Sequence, residues 1–322
     1  MRNYLIRRIL QMIPLFLGVA LVTFGVLSLV GDPFAQMAIN PRIRPEDIAR
    51  LKHAWGFDLP WYLRFFKWFW SMITGNWGVS IFAGGKPVTE LVGRAITYTL
   101  RFSIASLVLA FIIGVPIGIY SALHQYTFFD YFFTFFAFFG MSMPTFWFGF
   151  ILMMIFGLRL GWLPIGGVMT PGIETAPFVV RFFDQAKYMI LPVIVLSLFS
   201  MASWMRYARS SMLEVIRMDY VRTARAKGLP ERTVIFKHAL RNALIPIVTL
   251  LGLSLPGIIS GATITETVFS IPGMGRLTVD AMLSNDYPVA MVCLLLESSL
   301  LIIGNLIADL LYAVVDPRIR YS

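Results

Sequence analysis

Six long apolar stretches, at 9–30, 100–120, 131–157, 188–204, 244–265 and 288–315, constrain this chain more than any other feature. Each approaches or exceeds the ~20 residues that a helix needs to cross a bilayer. In hydrocarbon every backbone N–H and C=O must be satisfied within the chain, which leaves helices and closed barrels. These runs do not alternate with a period of two, so they read as helices. Only 14% of the 322 residues are charged and the mean hydropathy is +0.75, leaving too few charges to cover a water-facing surface. The expectation is an all-α polytopic membrane helix bundle with six transmembrane helices.

The first run follows Arg2, Arg7 and Arg8 as a signal peptide would. It exceeds a signal core of roughly 7–15 residues and no small-x-small cleavage pattern follows, so it reads as an uncleaved anchor. The net charge of +10 would suggest nucleic acid in a soluble protein. In a membrane protein it reflects the Lys and Arg kept on cytoplasmic loops, and no nucleic-acid partner is expected. Arg2, Arg7 and Arg8, the basic segment between the fourth and fifth runs, and Arg318 and Arg320 fall on one side if there are six spans. Both termini are therefore expected in the cytoplasm. Cys293, the single cysteine, excludes an internal disulfide framework and reads as a buried, inert thiol.

The chain divides into an N-terminal anchor (1–30), an extracytoplasmic segment (31–99), a five-helix core (100–315) and a short tail (316–322). In the second of these, Pro45, Glu46 and Asp47 look like a helix first turn. Trp61, Tyr62, Phe65, Phe66, Trp68, Phe69 and Trp70, mixed with Arg64 and Lys67, suit a helix lying at the membrane–water interface. Gly114 with Gly118 and Gly257 with Gly261 are spacings that let helix backbones approach. Pro116, Pro144, Pro192, Pro246 and Pro256 are expected to kink or break their helices. The Phe-rich third run reads as lipid-facing bulk.

The stretch 206–242 differs from everything else, being too polar for a span and too regular for a floppy loop. Asp219 to Lys227 would form a helix ~13 Å long, stopped by Gly228 with Pro230 beyond it. Ala224 and Ala226 are small enough for another surface to come close, and Arg222, Arg225 and Lys227 offer charge to an acidic or polar groove. A solvated basic loop that only fixes topology would look the same. Among ionisable residues, Arg206, Arg209, Glu266 and Glu297 are candidates for a pathway or gate, with an interhelical hydrogen bond or salt bridge as the plainer role for Glu297 and the fixing of topology as the plainer role for the two arginines.

The run DYVRTARAKGL at Asp219 to Leu229, followed by HALRNALIP at His238 to Pro246, resembles the EAA signature of ABC-importer permeases. In wording it is similar to the dipeptide/oligopeptide (peptide, nickel and oligosaccharide) branch, as its first, B-type permease. IRRIL with IPLFLGV, RSSMLEV at Arg209, TETVFSIPGMGRL at Thr265 and DLLYAVVDPRIRY at Asp309 extend the likeness along nearly the whole chain. Asp219 stands where the signature often has Glu, keeping the charge.

The resemblance implies a type I ABC importer permease fold and a coupling loop over 212–241. It implies that Glu214, Asp219, Tyr220, Arg222, Thr223, Ala224, Arg225, Ala226, Lys227, Gly228 and Leu229 meet the groove of a nucleotide-binding subunit. It also implies a second, homologous permease subunit in a heterodimer, two cytoplasmic ABC ATPase subunits, an external substrate-binding protein, and short peptides as substrate. Oligosaccharides or metal chelates are the alternatives within that class. The sequence has no G-x-x-x-x-G-K-[ST] loop, so ATP and Mg would be bound by the partner subunits and this chain would need no cofactor of its own. A membrane enzyme finds no support in G-x-S-x-G or H-E-x-x-H, and an ion-driven transporter would have few spans for one chain. Gly228→Asp or Ala224→Glu is expected to abolish uptake without preventing insertion.

Overall fold

A computed structural model describes residues 2–30, 34, 38, 44–259 and 262–315. Gly261, Arg318, Arg320 and the tail 316–322 lie outside the described residues, as do most of 31–43 and the side chains of Arg2, Pro256 and Asp309. In chain order the helices are α1 (Arg2–Val30), α2 (Pro45–Trp55), α3 (Trp61–Ile73), α4 (Val88–Leu123), α5 (Phe128–Ser142), α6 (Thr145–Leu152), α7 (Phe178–Ile216), α8 (Asp219–Ala226), α9 (Glu231–Thr233), α10 (Leu240–Ile259), α11 (Thr263–Val268), α12 (Met274–Leu283) and α13 (Tyr287–Val315). A π-helical turn, Met153–Arg159, extends α6, and another, Val234–Ala239, joins α9 to α10.

Among the described residues, five helical segments are long and apolar enough to cross a membrane: Ile6–Leu29, Val88–Leu123, Phe178–Ile216, Glu231–Ser254 and Tyr287–Ala308. The expected third span is not one straight helix. α5 and α6 meet at 105° across Met143 and Pro144, and they make a sixth crossing only if the bent pair counts as one. Proline lacks the N–H that an unbroken helix would use and clashes with the preceding turn. Pro116 and Pro192, by contrast, sit within helices that continue past them. Much of the phenylalanine face of α5 is exposed, including Phe135 and Phe138.

α4 and α7 form the spine of the bundle, and they run parallel. Gly114 faces the carbonyl of Met201, and Gly118, one turn on, faces that of Met205. A Cβ on Gly118 would lie 2.3 Å from the Met205 oxygen, so the backbones touch where glycine allows it. Gly118→Ala should therefore cost about 1–3 kcal/mol through overpacking, read as a lower thermal midpoint of the protein in detergent.

The remaining helices set the direction of the ends. Phe16 of α1 shares a pocket with Leu295 and Leu296, whereas Phe24 shares one with Pro288 and Met291, so α1 and α13 are antiparallel. Asp286, just before α13, accepts from the Ser80 hydroxyl and from the N–H groups of Ile81 and Phe82, which ties the start of α13 to the start of α4. The far end of α4 packs on α8. The first residues of α1, the last of α13 and α8 thus share one end of the bundle.

The expected helices of the segment before α4 are present. Pro45 opens α2, with Glu46 and Asp47 in its first turn, and Gly56 ends it at φ +74°. α3 is two-faced: Phe65, Trp68, Phe69 and Met72 pack with α1 and α13, while Trp61, Phe66 and Trp70 are exposed. Arg64 stacks on the Phe57 ring at 4.3 Å.

Candidate functional site

α7 stops at Ile216, and after Arg217 and Met218 the chain re-enters a helix at Asp219. Asp219 lies at the positive end of the α8 dipole. Gly228 follows at φ +72°, with open space where a Cβ would stand, so glycine is needed there for backbone conformation rather than for room. Pro230 then starts the turn into α9 and α10. The stop expected from the sequence is therefore where the structure has it.

α8 has two faces. Val221 and Ala224 are buried with Ala122 of α4, Met212 of α7, and Val234, Ala239 and Ala243 on the way into α10. Ile119, Leu123, Leu213 and Ile216 pack around that cluster. The helix is thereby seated on the ends of three membrane-spanning helices. Ser211 of α7 donates to the carbonyl of Ala243 at 2.8 Å, closing the same corner. Asp219, Tyr220, Arg222, Thr223, Arg225, Ala226, Lys227, Gly228 and Leu229 are exposed, and so is Glu214 at the end of α7.

One expectation needs correcting. Ala224 does not lie on the exposed surface: it is 5% exposed and packs into the chain's own cluster. Ala226 is the exposed alanine. Arg225 is held by Glu231, with Nη2 at 2.7 Å from Oε1 and Nε at 3.2 Å from both carboxylate oxygens. That hydrogen bonding raises its pKa above the ordinary guanidinium value. Arg222 meets Asp219 more loosely, at 3.6 Å.

The four pathway candidates have different surroundings. Arg209 makes a two-pronged bond to Asp130 of α5, with Nε at 3.2 Å from Oδ1 and Nη2 at 3.0 Å from Oδ2. Asp130 is 3% exposed and also accepts from the Ser121 hydroxyl and the N–H of Tyr126, so one carboxylate ties α4, α5 and α7 together. Arg206 is exposed, with its guanidinium 5.7 Å from the ring centre of Tyr207.

Glu266 is wholly buried at the other end of the bundle. Its Oε1 accepts from the Thr99 hydroxyl at 2.7 Å and its Oε2 from the N–H of Arg276 at 2.9 Å. Thr99 in turn accepts from the N–H of Met274 at 2.8 Å. The carboxylate thus faces the N-terminus of α12, where free N–H groups and the dipole favour an anion. A Cβ on Gly273 would fall 2.4 Å from the Glu266 carboxyl carbon, so the glycine in the IPGMG run makes room for this contact. Glu297 accepts from Thr278 at 2.7 Å. Glu297 thus bonds across to α12, and Glu266 bonds to both α4 and α12.

Asp130 and Thr99 do not stand out in the sequence. An acid beside a run of phenylalanines is the one signal that marks Asp130; nothing in the sequence pairs it with Arg209.

A bundle of spanning helices, with a short polar helix seated across three of their ends, is the architecture of a multi-pass membrane protein. Residues 114–321 match the family described as binding-protein-dependent transport system inner membrane component, and 1–88 match the N-terminal region of such membrane components. The chain belongs to this family. It is 43% identical over 322 residues to the oligopeptide transport system permease protein AppB of Bacillus subtilis (strain 168), with the whole of both chains covered. It is 38% identical over 339 residues to the dipeptide transport system permease protein DppB of Escherichia coli (strain K12), and 38% identical over 336 residues to the di/tripeptide transport system permease protein DppB of Pseudomonas aeruginosa (strain UCBPP-PA14), again with full coverage.

Proposed function

We propose that this chain is one of two permease subunits of an ATP-driven importer of short peptides, and that α8 is the element through which partner ATPases drive it. The observation that carries the reading is the two-faced α8, one side fixed to the ends of α4, α7 and α10, the other presenting Tyr220, Arg222, Ala226 and Lys227. A helix held this way moves as one piece with the spanning helices, so a push on its exposed face becomes a displacement of the bundle. The full-length likeness to oligopeptide and dipeptide permeases supports peptides as the cargo. The α8 end then faces the cytoplasm, and a homologous permease, two ATPase subunits and an external binding protein complete the assembly.

The test uses the complete transporter in vesicles. Reversing the exposed charges with Arg222→Glu and Lys227→Glu together should reduce ATP-dependent uptake of a labelled tripeptide by about tenfold or more, the factor for ~1.4 kcal/mol of lost docking energy. Membrane insertion and thermal stability should hold, because both side chains are outside the buried cluster. Uptake by the unaltered protein that needs an ion gradient and no ATPase would overturn the proposal.

A further inference from the structure

Between α4, α7 and α10 lies a groove of about 460 Å³ whose polar lining consists largely of serine hydroxyls. Ser103 and Ser106 line it from α4, Ser200 and Ser203 from α7, and Ser254 from α10, with Tyr207 of α7 on the side nearer α8. Ser106 and Ser254 spend their protons on their own helices, donating to the carbonyls of Phe102 and Leu251. Ser103, Ser200 and Ser203 are half-buried, and their hydroxyls have no hydrogen-bond partner among the described residues. No Asp, Glu, Lys or Arg lines the groove among those residues.

Three unpartnered hydroxyls on two neighbouring helices would be costly to leave against hydrocarbon. They fit a wet wall along which something polar passes. The volume falls in the ~300–1,000 Å³ range of small-molecule sites. A hydroxyl both donates and accepts, so it serves the N–H and the C=O of a peptide bond equally. A wall without fixed charge neither holds nor repels the charge on a side chain.

We propose that this groove is the chain's wall of the substrate path, and that Ser103, Ser200 and Ser203 exchange hydrogen bonds with the backbone amides of a peptide in transit, leaving its side-chain charge unread. The proposal rests on the peptide-importer reading above and specifies which residues meet the cargo.

Charge placed on the wall tests it. Uptake of Ala-Glu-Ala and Ala-Lys-Ala is measured with the complete transporter carrying Ser203→Asp, Ser203→Lys or Ser203→Ala. Relative to the unaltered protein, Ser203→Asp should lower the Glu-to-Lys uptake ratio by about tenfold and Ser203→Lys should raise it similarly, each corresponding to ~1.4 kcal/mol. Ser203→Ala should leave the ratio unchanged. A ratio that moves with neither charge, or in the same direction with both, overturns the proposal.

If the charged variants do not assemble, Ser203→Cys decides. Cys293, the native thiol, is wholly buried, so a charged, membrane-impermeant thiosulfonate should label the introduced thiol, and tripeptide should slow the labelling. An introduced thiol that does not react overturns the proposal. Failure of the unaltered transporter to take up either peptide would instead count against the peptide-importer reading.

Discussion

Ala224→Glu is expected to abolish transport while the spanning helices still insert. The substitution puts a carboxylate among the apolar side chains of Val221, Met212, Ala122 and Val234, none of which can donate to it. Burying such a group costs several kcal/mol or forces its protonation, and α8 has only eight residues with which to resist. The expected result is an α8 lifted from the ends of α4, α7 and α10. Ala226→Glu, on the exposed face, adds the same charge without touching the cluster. Membrane fractionation should show both variants at normal levels. Limited proteolysis should cut near α8 in Ala224→Glu alone. Uptake should fall to background in Ala224→Glu, and normal uptake there would mean that α8 need not be seated for the transporter to work.

The second large effect is at Arg209. Arg209→Ala leaves Asp130 buried with only the Ser121 hydroxyl and the Tyr126 N–H as donors. Removing one partner of a buried ion pair typically costs about 3–5 kcal/mol, because the remaining charge has neither water nor a counter-ion. Thermal unfolding in detergent should report a large drop for Arg209→Ala, and adding Asp130→Asn should recover much of it. If Asp130→Asn brings no recovery, the loss arises from missing arginine packing and not from a stranded carboxylate.

The spanning helices are legible in the sequence because apolar length marks them, but α4 and α7 begin before their apolar runs, and the short α11 and α12 carry no such signal. α8 is legible because Gly228 and Pro230 punctuate it. Direction is not. An eight-residue helix with two alanines has a small face, but whether that face meets another protein or its own bundle depends on how α7 ends. Residue size alone points Ala224 outward, and the packing turns it inward. Partners far apart in the chain are equally hidden: Arg209 and Asp130 are 79 residues apart, and Thr99 and Glu266 are 167 apart. Pro144 shows the limit of reading prolines singly. Pro116 and Pro192 sit inside continuous helices while Pro144 turns the chain by 105°, and the sequence marks no difference between them.

The parallel seam of α4 and α7 has a mechanical meaning. With carbonyl oxygens of one helix resting on glycine α-carbons of the other, the two backbones meet directly over one turn, and a tilt of one would press on the other. α4 alone, at 36 residues, is ~54 Å long. A tilt begun at Ala122 would carry Thr99, ~35 Å away along α4, and would load the hydrogen bond that Thr99 donates to Glu266.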